Sequence, residues 1–169
     1  MRTIFLVVVA IVLSLDMATD LASAQTRVRR CEIVEYGLYD LKTDKQLNAP
    51  GVAAGSVAVT TGKLIRTTTE IPARLGTGFG YRIKLIGSPV GATVKVKDIN
   101  IVPEPGLRNP STGNVLYREE SDYTRKIGDT WRSDYQLNHE WTLLPGKWIF
   151  QIWVDDRKMC EQVFNLVKE

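Results

Sequence analysis

The sequence predicts an all-β protein built as two antiparallel sheets packed into a sandwich. Seven or eight short extended runs recur between turn residues along the chain. No window of a dozen residues places apolar side chains at the three-and-four spacing of an amphipathic helix. The clearest run is Trp148, Phe150, Ile152 and Val154, whose alternation is typical of a strand with one face in a core.

The first 24 residues have the layout of a secretory signal peptide. Arg2 precedes an apolar run of 12 residues, 4–15, and small residues follow at 22–24, so cleavage is expected before Gln25. The run is shorter than the roughly 20 residues that a spanning helix needs. We therefore expect a periplasmic or secreted protein with no membrane span after cleavage, folded as one domain over residues 25–169.

The charge balance argues against nucleic acid as a partner. The chain carries 22 basic and 19 acidic residues, a net charge of +3. Removing Arg2, Asp16 and Asp20 with the signal peptide leaves 21 basic and 17 acidic residues, a net charge of +4. That excess is ordinary for a small domain and is not clustered as in a nucleic-acid-binding surface.

The two cysteines, Cys31 and Cys160, favour a single disulfide because an exported chain folds in an oxidising compartment. Such a bond would place the first and last strands side by side or face to face across the core. Two free buried thiols are the alternative.

Strands are predicted at 31–41, 56–70, 82–86, 92–102, 115–123 and 134–143, with a final hairpin of 148–154 and 159–167 turned at 155–158. In the run 92–102, Val94, Val96 and Ile99 are interpreted as alternating with Lys95, Lys97 and Asp98. The segments 41–55 and 103–114 contain prolines and glycines and are predicted as surface loops.

No catalytic set, metal site or cofactor motif emerges from the sequence. Gly76, Gly78 and Gly80 precede a strand, whereas a dinucleotide fingerprint precedes a helix, so a bulge, positive φ or close backbone approach is the better interpretation. His139 is the only histidine, and neighbours on one strand do not converge with it as a catalytic triad does.

Two acidic segments are candidates for calcium sites. The segment 98–100 opens with the spacing of a calcium loop but lacks the oxygens that should follow. Glu119, Glu120 and Asp122 are better interpreted as a solvated strand face.

The four tryptophans raise the hypothesis of a carbohydrate-binding platform, because flat aromatic rings stack on sugars. Trp148 shares its strand face with Phe150 and is predicted to lie in the core. Trp153 lies on the opposite face, and if it is exposed it is the one predicted binding residue.

Three segments together resemble a bacterial family of exported proteins, the domain of unknown function numbered 3859. They are 35–39 (EYGLY), 71–80 (IPARLGTGFG) and 145–150 (PGKWIF), and the resemblance extends from about residue 31 to residue 167. It implies an immunoglobulin-like β-sandwich in a bacterial periplasm and brings no catalytic residues.

The leading functional hypothesis is a non-catalytic exported domain that binds a protein or an envelope component, because exposed strand edges can pair with a partner. The alternatives are a carbohydrate-binding module, which needs two exposed coplanar aromatic rings, and a hydrolase or lyase acting on an envelope polymer. The last requires a concave pocket in which acidic groups with shifted pKa values converge.

Overall fold

A computed structural model describes residues 25–168, and the predicted signal peptide lies outside this range. The described chain forms strands joined by turns and one 3-10 turn, Glu140–Thr142. No helix within this range is long and apolar enough to cross a membrane. The strands are β1 Arg27–Asn48, β2 Ser56–Arg66, β3 Glu70–Pro72, β4 Gly78–Ser88, β5 Thr93–Ile101, β6 Leu107–Arg108, β7 Val115–Leu116, β8 Arg118–Lys126, β9 Thr130–Gln136, β10 Gly146–Val154 and β11 Arg157–Val167.

The two main sheets form the predicted sandwich. One has the strand order β2-β1-β4-β9, and the other has the order β3-β11-β10-β5-β8. All neighbours pair antiparallel except β3 and β11, which are parallel. The short strand β6 interrupts the proline-containing segment 103–114 that was predicted as a loop, and it pairs with β7, which begins directly after that segment.

The segment predicted as a loop at 41–55 is largely strand, so that prediction was wrong. β1 continues to Asn48 and forms a hairpin with β2, with Asn48 opposite Ser56 and Leu38 opposite Arg66. Only the turn between these strands, 49–55, contains the proline and glycines that break regular structure. We call residues 40–66 the arm, because this hairpin extends beyond the start of β4.

The predicted strand at 134–143 was also placed too late in the chain. β9 ends at Gln136, and the following residues form the 3-10 turn that contains Trp141. The β9 strand begins at Thr130, where it pairs with Lys84 of β4.

Aromatic side chains fill the core around Phe79. The Phe79 ring centroid lies 5.3 Å from those of Phe150 and Phe164 and 5.8 Å from that of Trp148. Trp148 is fully buried, and its indole N–H donates to the Leu144 carbonyl at 2.9 Å. The prediction that Trp148 belongs to the core is confirmed.

The disulfide between Cys31 and Cys160 forms as predicted, with the two Cα atoms 5.6 Å apart. It joins β1 to β11, which belong to different sheets, and therefore fastens one flank of the sandwich. The opposite flank, between β9 and β8, contains no disulfide and is closed by the arm.

Candidate functional site

The candidate site is a cavity of about 530 Å³ bounded by the arm, β9 and the edge formed by β5 and β8. Cavities of 300 to 1,000 Å³ are the usual size for small-molecule sites. Most of its lining comes from β2, β8 and β9, which are edge strands of the two sheets.

The turn of the arm docks on β8 and closes one end of the cavity. The Ala53 amide donates to Glu119 Oε1 at 2.7 Å, and the Glu120 amide donates to the Gly51 carbonyl at 3.0 Å. Asn109 donates its side-chain amide to the Ala53 carbonyl at 2.7 Å. These bonds join an edge of one sheet to a hairpin of the other, and they fix the carboxyl of Glu119.

A clasp of three polar side chains holds the arm against β9. The Thr60 hydroxyl lies 2.9 Å from Asp134 Oδ2, and Arg132 Nε donates to the same oxygen at 2.6 Å. Arg132 also donates to the carbonyls of Thr60 and Gly62 at 3.2 Å. The Arg132 and Asp134 side chains are only 12% and 11% exposed, so this ion pair is largely shielded from water.

Polar residues of β5 and β8 face the cavity where apolar residues would be expected. Asn100 pairs with Glu119, and Asp98 pairs with Ser121, so four polar side chains lie on one inner face. Val96, which precedes them on the same face, is fully buried in the core. The inner surface of this sheet therefore changes from apolar to polar along β5.

The sequence alone does not bring these residues together as one site, although β5 contains a signal. Val94 and Val96 have even residue numbers and therefore lie on one face of the strand. Ile99 has an odd number and lies on the opposite face, beside Gln151 of β10. The alternation of 92–102 therefore changes phase, and it leaves Asp98 and Asn100 on the inner face. The prediction that Glu119 lies on a solvated face was wrong, since it is 2% exposed.

Several buried polar atoms converge here without a partner among the described residues. They are Asp98 Oδ1, Asn100 Oδ1, Glu119 Oε2, Arg125 Nε and the hydroxyl of Tyr81. The first four belong to residues that line the cavity. Since buried polar groups in native proteins are nearly always hydrogen-bonded, their concentration in one cavity indicates a place for a polar ligand.

Burial raises the pKa of two acids that line the cavity, Asp98 and Glu119, to about 7. For Asp98, a hydrogen bond from Ser133 and the charge of Arg125 oppose this rise, while the charge of Asp134 adds to it. For Glu119, the hydrogen bond from the Ala53 amide opposes it. Both carboxyls are therefore poised to gain or lose a proton near neutral pH.

An aromatic wall lies beside the guanidinium of Arg125. The Arg125 Cζ atom is 4.8 Å from the ring centroid of Tyr123 and 5.7 Å from that of Trp131. These contacts hold the guanidinium by cation–π attraction. The cavity thus has acceptor oxygens on β5 and β8 and one donor group near the aromatic wall.

Trp153 lies on the outer face of the β5–β10 sheet, away from the cavity lining. It is half-buried, and its indole N–H donates to Gln151 Oε1 at 2.9 Å. Its role in binding stays a prediction. The tryptophan that lines the cavity is Trp131, for which the sequence predicts no particular role.

His139 is exposed, and it precedes the 3-10 turn and does not lie within a strand. Its ring stacks on Trp141 with centroids 5.2 Å apart and planes 6° apart. Among residues 25–168, no group of three or more histidine, cysteine or acidic side chains is arranged to hold a metal ion.

The fold and the cavity define an immunoglobulin-like β-sandwich with a polar interior site. The chain belongs to the family described as Domain of unknown function (DUF3859), whose model matches residues 27–166. No curated protein matches the sequence. An immunoglobulin-like protein from Pseudomonas aeruginosa has a similar structure, with a TM-score of 0.58 and 23% identity, covering 86% of this chain and 99% of that one.

Two further solved structures are much less similar. The DNA glycosylase AlkC of Pseudomonas fluorescens has a TM-score of 0.35 at 16% identity, covering 59% of this chain and 28% of that one. A β-glucosidase from Listeria innocua has a TM-score of 0.34 at 10% identity, covering 78% of this chain and 16% of that one. Because a shared fold does not imply a shared function, the function of this chain is inferred from its own site.

Proposed function

We propose that this chain is an exported, non-catalytic β-sandwich that binds a component of the cell envelope and holds a small polar part of it in the cavity. The observation that supports this proposal most directly is the set of unpartnered buried atoms on Asp98, Asn100, Glu119 and Arg125 within one cavity. Leaving such atoms unpaired costs about 1 to 3 kcal/mol each, and a bound ligand would recover that cost.

The cavity supports this proposal better than the two edges of the five-stranded sheet do. The edge strand β8 already receives the arm turn through the Glu120 amide and the Gly51 carbonyl, and β3 has only three residues. Strand addition by a protein partner needs a longer run of unpaired backbone groups. A protein partner is the alternative, and gentle crosslinking followed by co-purification from the envelope fraction tests it.

A surface platform for sugars receives no support from the described residues. The four tryptophans are buried or half-buried, and among the tryptophans, tyrosines and phenylalanines of residues 25–168 only Tyr117 is strongly exposed. Two coplanar exposed rings are therefore missing from residues 25–168. A sugar would have to bind inside the cavity, beside Trp131.

A hydrolase or lyase is the second candidate, because the cavity brings together two acids with raised pKa values. Catalytic carboxyl pairs are usually placed in different environments, which move their pKa values apart. Here burial raises the pKa of both Asp98 and Glu119, so the two acids are shifted in the same direction. This shared direction favours binding over catalysis. Release of soluble fragments from purified envelope polymers, if Asp98→Asn abolishes it, would instead support the enzyme.

Mass spectrometry of the natively purified protein tests the proposed function. The wild-type chain and a cavity-filling variant, Ser121→Leu, are isolated from the envelope fraction, denatured and analysed for released small molecules. Thr124→Leu is the matched control, because Thr124 is exposed on the same strand. We expect a polar compound with the wild type and the control but not with Ser121→Leu; equal recovery from all three, or from none, contradicts the proposal.

A further inference from the structure

We infer that the ligand carries a protonated primary amine, bound by the oxygens of Asp98, Asn100 and Glu119. This inference rests on the proposed function and deepens it, since it assigns the chemical class of the group that enters the cavity. The structural basis is a set of three acceptor atoms without partners on two adjacent strands.

The three acceptors form a triangle on the inner face of β5 and β8. Asn100 and Glu119 are paired directly across the two strands, and Asp98 is two residues along the same face. Side chains directly opposite each other have Cβ atoms about 5 Å apart, and diagonal neighbours are about 7 to 8 Å apart. Three side chains at this spacing can direct their oxygens at one small group between them.

An ammonium group matches this triangle because it has three N–H donors and no acceptor. A ligand hydroxyl could donate only one hydrogen bond and would leave two of the oxygens unpaired. Glu119 is the strongest part of the argument: it is 2% exposed, its Oε1 already accepts from Ala53, and its Oε2 is free of partners among the described residues.

The charges around the cavity also favour a cation at this position. Arg132 is already paired with Asp134, and Arg82 is paired with Glu35. With Asp98 and Glu119 ionised, Arg125 offsets only one of the two negative charges. A ligand with one positive charge neutralises the remainder.

The Arg125 Nε donor adds a second requirement. It is buried and unpartnered, so the same ligand should also present an oxygen acceptor toward the aromatic wall. Amino sugars and amino acids both combine an amine with such oxygens. Both classes of compound carry the amine that we expect the cavity to bind, so a separate probe is needed for each class.

Calorimetric titration with two matched pairs tests the inference. One pair is glucosamine and N-acetylglucosamine, and the other is alanine and N-acetylalanine; acetylation removes the positive charge and two N–H donors. We expect the amine of at least one pair to bind at least tenfold more tightly than its acetylated form, and the binding pair identifies the source.

The acceptor residues are tested with Glu119→Gln, which keeps the shape of the side chain, and with Asp122→Asn as its control. Asp122 is an exposed acid on the same strand. We expect Glu119→Gln to weaken binding of the amine at least tenfold, and Asp122→Asn to change it less than twofold. Equal effects of the two substitutions overturn the inference.

The outcomes separate this inference from the proposed function. If the acetylated compounds bind as tightly as the amines and Ser121→Leu abolishes that binding, the cavity is a binding site but the ammonium assignment is wrong. If neither amine binds, the inference is overturned, while recovery of a compound from the native protein still decides the proposed function.

Discussion

The hydroxyl of Thr60 lies 3.0 Å and 2.9 Å from the two carboxylate oxygens of Asp134, although β2 and β9 are the opposite edges of one four-stranded sheet. This contact shows that the arm returns across the sheet and closes the flank on which the candidate site lies. Asp134 also accepts from Arg132, so one carboxylate connects the arm to β9.

Weakening this clasp should destabilise the arm. Thr60→Val removes the hydroxyl and should lower the free energy of unfolding by about 1 kcal/mol, a typical value for one hydrogen bond. Asp134→Ala leaves Arg132 as a shielded charge without its carboxylate and should cost about 3 kcal/mol. Hydrogen exchange of β2 amides should accelerate in both variants.

The control for the clasp is Thr61→Val, the same substitution one residue later on an exposed position. Its contact with Asp44 is long, at 3.4 Å. We expect little change in stability or exchange. If Thr60→Val and Thr61→Val behave alike, the clasp does not hold the arm.

Removing the disulfide should lower stability by about 4 to 5 kcal/mol, as the chain-entropy relation gives for a loop of this length. Cys31 and Cys160 are 129 residues apart in sequence, so their bond constrains nearly the whole unfolded domain. Urea unfolding of the Cys31→Ser, Cys160→Ser double variant measures the effect. Detection of two free thiols in the denatured, unreduced wild-type protein contradicts the bond itself.

Stability should fall as pH rises from about 4 to about 7. Burial raises the pKa of Asp98 in the folded chain from 3.8 to about 7, so in this window the folded chain keeps a proton that the unfolded chain releases. The loss is about 1.4 kcal/mol for each pH unit and each such group. Glu119, whose pKa burial also raises to about 7, acts in the same direction.

Asp98→Asn, which mimics the protonated acid, should reduce this pH dependence. We expect the difference in Tm between pH 5 and pH 8 to be smaller in this variant than in the wild type. The control variant, Asp122→Asn, should keep the wild-type difference. If the difference in Tm between pH 5 and pH 8 is the same in the wild type and both variants, the assignment is contradicted. The groups that face Asp98 or act on its charge are Tyr81, Tyr123, Arg125, Ser133 and Asp134.

Two glycine substitutions should separate close packing from backbone freedom. A Cβ at Gly80 would lie 2.3 Å from the Ser133 carbonyl oxygen of β9, so Gly80→Ala should cost about 2 to 3 kcal/mol by overpacking. Gly76 has a φ of +82° and open space around it, so Gly76→Ala should cost about 1 kcal/mol of backbone strain. Chemical unfolding measures both, and the opposite ranking contradicts this interpretation.

Fluorescence should distinguish the cavity from the outer sheet face as the site of binding. Trp131 lines the cavity and Trp153 does not. When the amine that binds in calorimetry is added, we expect the change in intrinsic tryptophan fluorescence to be lost in Trp131→Phe and retained in Trp153→Phe. Loss only in Trp153→Phe would support the sequence prediction for Trp153 and contradict the cavity.

The sequence by itself determined the architecture of this protein. Alternation around Trp148 and Phe150 identifies a half-buried strand without knowledge of its partners, because the period of two is a local property of the backbone. The cysteine pairing was predictable for a similar reason, since only Cys31 and Cys160 are available. The glycines of 76–80 were correctly interpreted as conformational and packing positions.

Only the tertiary structure decided where the site lies. Glu119 looks like an ordinary polar residue of a half-exposed strand in the sequence, and it is buried where the turn of the arm docks on β8 from more than 60 residues away. Asp98 faces the same cavity from β5. The first part of the arm, within 41–55, was predicted as a loop because its polar residues give no apolar face to recognise, whereas its second part was predicted as a strand, 56–70. Burial by a distant segment, and the pKa shifts it causes, are properties of the packing and not of any local pattern.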